Sequence, residues 1–266
     1  MPLRAASPVD DSTRSAWSMS ESRAVVVVGG GSGIGAAAVD RYRSKGVTTV
    51  VWDIAGDFDI RCDVGQSESI EIALSETLER VGVPDQLTIT AGVGHGSLLL
   101  DESVEEFDRI IAINTRGPWL VTRAFAREMI ASEVSGSMVV TSSVSAHLVD
   151  RAMGTYCASK SALSTLVRVA ACEWAPYGIR VNAVGPGVTE TPMLGRAPRD
   201  AGWLAAVTRR TPLHRLGHPT DVSQVIMALH DLEWVTGQVL DCDGGLSLHS
   251  PIDSYGESRQ HEAHTS

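Results

Sequence analysis

The most constraining feature of this chain is the run RAVVVVGG, in which four valines lead directly into glycines. A continuous run of β-branched residues is typical of a strand that is covered by protein on both faces. Further strand-like segments follow: VTTVVWD, DQLTITAG, GSMVVTSS, IRVNAVGPG and TGQVLDCDGG, and helix-like segments separate them. Strands that alternate with helices form parallel sheets with helices on both faces. We therefore predict a doubly wound α/β fold.

The chain is long enough, at 266 residues, to bury one full core, and no linker or internal repeat divides it. Both ends are polar. We interpret residues 1–22 as a disordered N-terminal extension and residues 250–266 as a polar C-terminal tail, which is either disordered or packed on a partner subunit. Residues 23–249 are then expected to form a single domain.

Charge and composition argue against several classes of partner. The formal net charge of -10 disfavours nucleic acids and anionic membranes, which attract basic surfaces. No apolar run approaches the ~20 residues of a membrane span, and the N-terminus lacks the apolar core of a signal peptide. The four cysteines form no CxxC pair and no zinc-like spacing with histidine. We expect a cytoplasmic protein without a metal site.

The segment GGGSGIG joins the first strand to its helix. Gly29, Gly33 and Gly35 permit a tight turn and a close approach to a pyrophosphate, which the helix N-terminus then binds. The second strand ends at Asp53, where a carboxylate accepts hydrogen bonds from an adenosine ribose and repels the 2′-phosphate of NADP. No Arg or Lys lies in the loop or directly after Asp53, so NAD is favoured over NADP. The alternative is that Asp53 is only a solvated strand end.

A tyrosine and a lysine in TYCASK, Tyr156 and Lys160, lie one turn apart on a predicted helix. A nearby ammonium group lowers the pKa of a phenol from about 10, which makes the phenol an acid and base near neutral pH. Ser143 ends a predicted strand and can stabilise a reacting oxygen. Asn114 lies in mid-helix, where an amide is a poor choice. The alternatives are a surface neighbour contact for the pair and a structural contact at a helix kink for Asn114.

These motifs, with GGGSGIG, AINTRG, TSSVS and TYCASK in this order, resemble those of the short-chain dehydrogenase/reductase family. The resemblance covers about residues 23–248 and implies a Rossmann-like, mostly parallel seven-stranded sheet. It implies that Tyr156 is the acid/base and that Lys160 binds ribose hydroxyls and lowers the tyrosine pKa. It also implies that Ser143 polarises the substrate and that Asn114 positions a water in a proton relay. The implied cofactor contacts are Gly29, Ser32, Gly33, Ile34, Gly35, Asp53, Ile54, Asp63, Val64, Ala91, Gly92, Tyr156, Lys160, Pro186, Gly187, Val188, Thr189 and Thr191.

Three departures from the family pattern stand out. Val28 replaces the threonine that usually precedes the first glycine. Thr90 in ITAG replaces an asparagine that anchors the adenosine side, so we expect altered cofactor affinity. Only IAGDFDIRC separates Asp53 from Asp63, which leaves room for a strand of three or four residues and for no helix.

The same shortening occurs in the 2,3-dihydro-2,3-dihydroxybenzoate dehydrogenase branch, to which SAHLVDRAMGTYCASKSAL is also similar. By this resemblance His147, Arg151 and Met153 border the substrate, and Arg151 pairs with a substrate carboxylate. His95, just past a strand end, is a further candidate for substrate contact. The alternative is that these are ordinary loop residues. We expect residues 193–217 to form a mobile lid over the substrate.

We therefore predict that residues 23–249 form a single dinucleotide-binding catalytic domain. We expect an NAD-dependent oxidoreductase that transfers a hydride between a secondary alcohol, such as a cyclic alcohol or diol, and NAD. Its partners would be a small alcohol or ketone substrate and further copies of the chain in a homotetramer or homodimer. One alternative is an NADPH-dependent 3-oxoacyl-[acyl-carrier-protein] reductase, which Asp53 opposes. Another is a non-catalytic dinucleotide sensor, which would have no need of Asn114, Ser143, Tyr156 and Lys160 together.

Overall fold

The computed structural model describes residues 24–194 and 201–248, so the two predicted tails lie outside the described residues. The strands are β1 Ala24–Val28, β2 Thr48–Asp53, β3 Ile60–Arg61, β4 Gln86–Ile89, β5 Gly136–Thr141, β6 Ile179–Pro186 and β7 Val239–Cys242. The helices are α1 Gly33–Ser44, α2 Ser67–Val81, α3 Val104–Ile111, α4 Gly117–Ala131, α5 Gly154–Trp174, α6 Ala201–Arg210 and α7 Pro219–Asp231.

All seven strands form one sheet in the order β3-β2-β1-β4-β5-β6-β7. Every pair of neighbours is parallel. The predicted Rossmann-like doubly wound fold is thus confirmed, and the sheet is wholly rather than mostly parallel. The chain order reverses between β1 and β4, and in such sheets ligands bind at the carboxyl ends of the strands beside that reversal.

The valines of β1 divide between the two faces of the sheet. Val25 and Val27 pack with α1 and α7, whereas Val26 and Val28 belong to the larger core that α2, α4 and α5 cover. All four side chains are at most 1% exposed. Each buried valine contributes roughly 1.5–3 kcal/mol of transfer free energy. Burial on both faces is the reason that this strand is a continuous apolar run.

Residues 104–131 form three successive helical pieces, because a π-helical turn, Ala112–Arg116, separates α3 from α4. Pro118 lies in the first turn of α4, where its missing N–H costs little. The Gly117 N–H reaches back five residues to the Ala112 carbonyl, which widens the helix at this point. The long helix predicted for this segment accommodates the proline in this way.

The connection between β2 and β3 contains no helix, as predicted, and β3 has two residues instead of the three or four expected. Asp59 holds the connection to the sheet edge. Its carboxylate accepts the Val51 N–H at 2.8 Å, and its own N–H donates to the Val51 carbonyl at 2.9 Å. These bonds replace part of the strand pairing, so little length remains for β3.

Within the described ranges, no helix is both long enough and apolar enough to cross a lipid bilayer.

Candidate active site

The glycine loop brings the start of α1 against the ends of β1 and β4. Gly29 has a φ of +83°, and a Cβ there would collide with the backbone of Ala91. A Cβ on Gly35 would collide with the Gly29 carbonyl. Ser32, the N-cap of α1, makes no side-chain capping bond, and the first turn carries no acidic residue. The N–H groups at this helix start could therefore bind a pyrophosphate, and the contacts expected of Ser32, Gly33, Ile34 and Gly35 stay predictions.

The carboxylate of Asp53 faces this loop. Its Oδ2 accepts the Gly31 N–H at 2.8 Å, and its Oδ1 accepts the N–H groups of Ile54 at 2.7 Å and Ala55 at 3.2 Å. Asp53 is thus fixed by three backbone donors and is more than a solvated strand end. A carboxylate offers about four acceptor positions, so one remains for a ribose hydroxyl.

Thr90 takes over an anchoring role at the position where the family usually has asparagine. Its hydroxyl lies 3.1 Å from the Val28 carbonyl oxygen and 2.9 Å from that of Gly29. The residue thereby ties the end of β4 to the glycine loop. The backbone of Ala91 lies against Gly29 of that loop, and the cofactor contacts expected of Ala91 and Gly92 stay predictions. The threonine at this position therefore still links β4 to the glycine loop.

Asp63 and Val64 follow β3 at the same edge of the sheet. Asp63 Oδ1 accepts the Gly65 N–H at 2.9 Å, and the Asp63 N–H donates to Ser69 at 2.9 Å. Val64 is buried. These contacts fix the Asp63 backbone and leave its Oδ2 without a protein donor among the described residues.

The segment after β6 passes close to the glycine loop. A Cβ on Gly33 would lie 3.3 Å from the side chain of Thr191. The Gly187 N–H donates to Cys242 at 3.1 Å, and the Thr189 hydroxyl donates to the Gly187 carbonyl at 3.0 Å. One segment beside the glycine loop thus contains all the contacts predicted after β6, which are Pro186, Gly187, Val188, Thr189 and Thr191.

Lys160 is buried at the end of β5. Its ammonium donates to the Thr141 carbonyl at 2.9 Å and lies 5.9 Å from the centre of the Tyr156 ring. Burial lowers the pKa of Lys160 to about 8, because the charged form loses its hydration. The side chain therefore loses its charge as the pH rises through about 8.

The structure corrects the expected direction of the Tyr156 pKa. Burial raises the pKa of this phenol, and the hydrogen bond with Ser143 opposes that rise. The Lys160 ammonium is not among the groups that shift the pKa of this phenol, and the rise caused by burial therefore stands. Tyr156 and Lys160 nevertheless lie together as predicted, and Ser143 is hydrogen-bonded to the phenol.

Asn114 lies in the π-helical turn and is fully buried. Its side-chain oxygen accepts the Val93 N–H at 2.8 Å, and its amide nitrogen donates to the Val93 carbonyl at 2.8 Å and to Ser159 at 3.2 Å. The amide thus holds the loop after β4 against α5. The structural contact considered for Asn114 is therefore present, whereas its role in positioning a water for a proton relay stays a prediction.

The four predicted substrate contacts lie in two loops beyond the strand ends. His95 pairs with Glu106 at 3.2 Å, and His147 pairs with Asp241 at 3.1 Å. Arg151 is exposed, and Met153 is partly buried where its backbone bridges to Ser97. The predicted lid contains α6, but residues 195–200 of it lie outside the described part of the chain.

Asp241 escaped prediction from the sequence, although it lies in the family-like strand TGQVLDCDGG. Its Oδ1 occupies the space where a Cβ of Gly185 would be. Burial raises the pKa of this carboxyl, and the neighbouring His147 lowers it. The pairing joins residues far apart in the chain, so neither local spacing nor periodicity reveals it.

Lys160 should make the free energy of unfolding rise with pH in the alkaline range. Its pKa is about 8 in the fold and about 10.4 in the unfolded chain, so the unfolded chain binds more protons between these values and stability rises with pH. Relative to Lys160→Met, the wild type is expected to gain about 2 kcal/mol of unfolding free energy between pH 7 and pH 9.5. Urea unfolding of both proteins at both pH values measures this gain. An unchanged difference would mean that Lys160 is hydrated in the native state.

The comparisons with known proteins agree with this geometry. A family model described as enoyl-(acyl carrier protein) reductase matches residues 18–247. A 2,5-dichloro-2,5-cyclohexadiene-1,4-diol dehydrogenase of Sphingobium indicum is 34% identical over 242 residues, which cover 85% of this chain and 97% of that protein.

Two solved structures have the same fold. Ligand-free aldohexose dehydrogenase of Thermoplasma acidophilum has a TM-score of 0.80 and 28% identity, over 88% of this chain and 97% of that one. A 3-ketoacyl-(acyl-carrier-protein) reductase of Brucella melitensis complexed with NADH has a TM-score of 0.77 and 27% identity, over 85% and 98%. From its sequence motifs, its parallel sheet and these matches, the chain belongs to the short-chain dehydrogenase/reductase family and is an oxidoreductase that acts on CH–OH groups.

Proposed function

We propose that this chain oxidises a secondary alcohol, in the form of a cyclic alcohol or diol, with NAD as the hydride acceptor and Tyr156 as the base. The observation that carries the proposal is the cluster of Ser143, Tyr156 and Lys160 at the end of β5. It stands at the same edge of the sheet as the glycine loop. The diol dehydrogenase relative supports a cyclic diol as the substrate class.

In this proposal each catalytic side chain has one task. Bound NAD would accept the hydride from the substrate carbon. Ser143 donates a hydrogen bond to the substrate oxygen and holds it against the phenol. Tyr156 accepts the hydroxyl proton as the C–H bond breaks, and it returns the proton in the reverse direction. Lys160, fixed on the Thr141 carbonyl, would hold the ribose hydroxyls of the bound cofactor, and its charge would act against the rise that burial causes in the pKa of the phenol.

The proton leaves Tyr156 through Lys160 and a water held at Asn114. The Asn114 side chain is already occupied by Val93 and Ser159. Its main-chain carbonyl is the better acceptor for a water, because Pro118, four residues later, has no N–H to give it. Pro118 thus supports the water-positioning role assigned to Asn114.

Asp53 selects NAD over NADP in this proposal. Its carboxylate would accept a hydrogen bond from a ribose hydroxyl but repel a 2′-phosphate, and three backbone donors prevent it from turning away. The solved 3-ketoacyl reductase relative that is complexed with NADH supports the use of this cofactor within the fold.

We place the enzyme in the cytoplasm as a single catalytic domain that forms a homodimer or homotetramer. The apolar outer face of α4 and α5 supports such an interface, since Trp119 is 38% exposed and Val169 is 46% exposed. Sedimentation of the purified protein checks the assembly. A monomer at all concentrations would remove this part of the proposal.

The proposal is tested by nicotinamide absorbance with a panel of substrates. Cyclic vicinal diols, cyclic alcohols and hydroxy acids are offered with NAD, and ketones and β-ketoacyl thioesters with NADH or NADPH. We expect turnover of a cyclic alcohol or diol with NAD and at least about 10-fold less with NADP, as expected for one unfavourable charge contact. Preferred reduction of thioesters with NADPH would overturn both the substrate class and the role of Asp53.

A further inference from the structure

The short connection after β2 brings a basic residue to the edge where the adenosine ribose is expected. In the parallel register of β2 and β3, Asp53 is paired with Arg61. Paired residues on neighbouring strands direct their side chains to the same face of the sheet. The sequence places no Arg or Lys directly after Asp53, but the fold brings one there from eight residues further along the chain.

Arg61 is held beside Asp53 by the peptide that follows the carboxylate. Its guanidinium donates to the Ile54 carbonyl at 3.1 Å, while the Ile54 N–H donates to Asp53 at 2.7 Å. One residue thus separates the two charged groups, and the side chain of Arg61 is exposed. The guanidinium uses one of its five N–H donors in this bond, so the others face solvent at the rim.

The other basic residues at this edge already have partners. Arg43 pairs with the Asp59 carboxylate at 3.6 Å, and Arg80 donates to the Asp59 carbonyl and pairs with Glu76. Among the described residues, no carboxylate lies within ion-pair distance of Arg61. Among these three arginines, Arg61 is thus the one beside the proposed ribose site whose positive charge has no carboxylate partner in the described part of the chain.

We propose that Arg61 can bind the 2′-phosphate of NADP and that the carboxylate of Asp53 is what prevents this binding. Replacing Asp53 by a neutral residue should therefore create a phosphate site at Arg61. This inference rests on the proposed function, in which Asp53 faces the ribose. A guanidinium binds a phosphate through two parallel hydrogen bonds, which are among the strongest polar contacts in water. With Asp53 ionised, repulsion offsets that attraction. Without the Asp53 charge, the attraction between Arg61 and the 2′-phosphate is no longer offset.

The test measures binding of adenosine 2′,5′-bisphosphate and of 5′-AMP by calorimetry, so that it does not depend on turnover. Asp53→Asn keeps an acceptor for the Gly31 N–H and removes the charge. We expect it to bind the bisphosphate at least about 10-fold more tightly than the wild type does, and D53N/R61Q to lose about 10-fold again, as expected for a charge-assisted hydrogen bond. The affinity of D53N/R61Q for 5′-AMP should equal that of D53N.

The matched control is D53N/R43Q, which removes a neighbouring cation that is paired with Asp59. Its affinity for the bisphosphate should stay within about 2-fold of D53N, because Arg43 does not face the ribose. The single variant Arg61→Gln tests the same role by the same titrations, and this test does not depend on whether D53N is stable. It should weaken the bisphosphate about 10-fold and leave 5′-AMP unchanged.

Equal bisphosphate affinity of D53N and D53N/R61Q, or an equal loss in D53N/R43Q, would overturn the role of Arg61. A wild type that binds neither 5′-AMP nor NAD would instead overturn the proposed function itself. The two failures are therefore distinguishable in the same set of titrations.

Discussion

Replacing Tyr156 by phenylalanine is expected to lower kcat by roughly 10²–10⁴-fold while leaving the Kd for NAD within about 2-fold, the range that general acid–base catalysis contributes. Phenylalanine keeps the aromatic ring on α5, so only the hydroxyl that exchanges the proton is lost. Stopped-flow or steady-state absorbance of NADH gives kcat, and calorimetry gives the Kd. Because burial raises the pKa of this phenol, the wild-type rate should also rise with pH through the range in which the phenol ionises.

A matched variant is Tyr177→Phe, which removes a phenol from the turn after α5, away from the proposed site. It should keep the wild-type kcat. Full activity of Tyr156→Phe would show that the proton is taken elsewhere, whereas a loss of NAD binding would mean that the hydroxyl acts on the cofactor and not on the substrate.

Replacing Asn114 by alanine is expected to lower the free energy of unfolding by roughly 2–5 kcal/mol, because it leaves the N–H and carbonyl of Val93 without their buried partners. The loop after β4 would move, so kcat should fall as well. Urea unfolding measures the first effect, and NADH absorbance measures the second.

Thr115→Val is the control for this variant. It removes one hydrogen bond, at 3.0 Å, from the neighbouring residue to the Ser159 carbonyl, and it leaves Val93 untouched. Its cost should be about 1 kcal/mol. If both variants lost the same small amount, the amide of Asn114 would not be what holds the loop.

Much of the fold could be predicted because the periodicity of the chain is local. The four valines of β1 require cover on both faces, and the glycines after them leave room only for a tight turn. The length of β3 could not be predicted, because it depends on Asp59 binding back to the edge of β2. Likewise, the π-helical turn before Pro118 contains Asn114, whose bonds to Val93 and Ser159 join segments that are distant in the sequence.

The candidate site divides in the same way. Tyr156 and Lys160 could be predicted because one helix positions both of them. The pairing of His147 with Asp241, and that of Arg61 with the Ile54 carbonyl, join segments that only the sheet brings together. The direction of the Tyr156 pKa depends on burial, which is a property of the whole fold and not of the motif.

The strand order also has a kinetic consequence for synthesis of the protein. β1 emerges from the ribosome first, but one of its two neighbours, β4, pairs Gln86 with Val25 and is made about 60 residues later. A strand of four valines is therefore left with one open edge while translation continues, and parallel pairings of this kind form slowly. Fast formation of the β1–α1–β2 unit, which covers the other edge, would limit aggregation of the nascent chain.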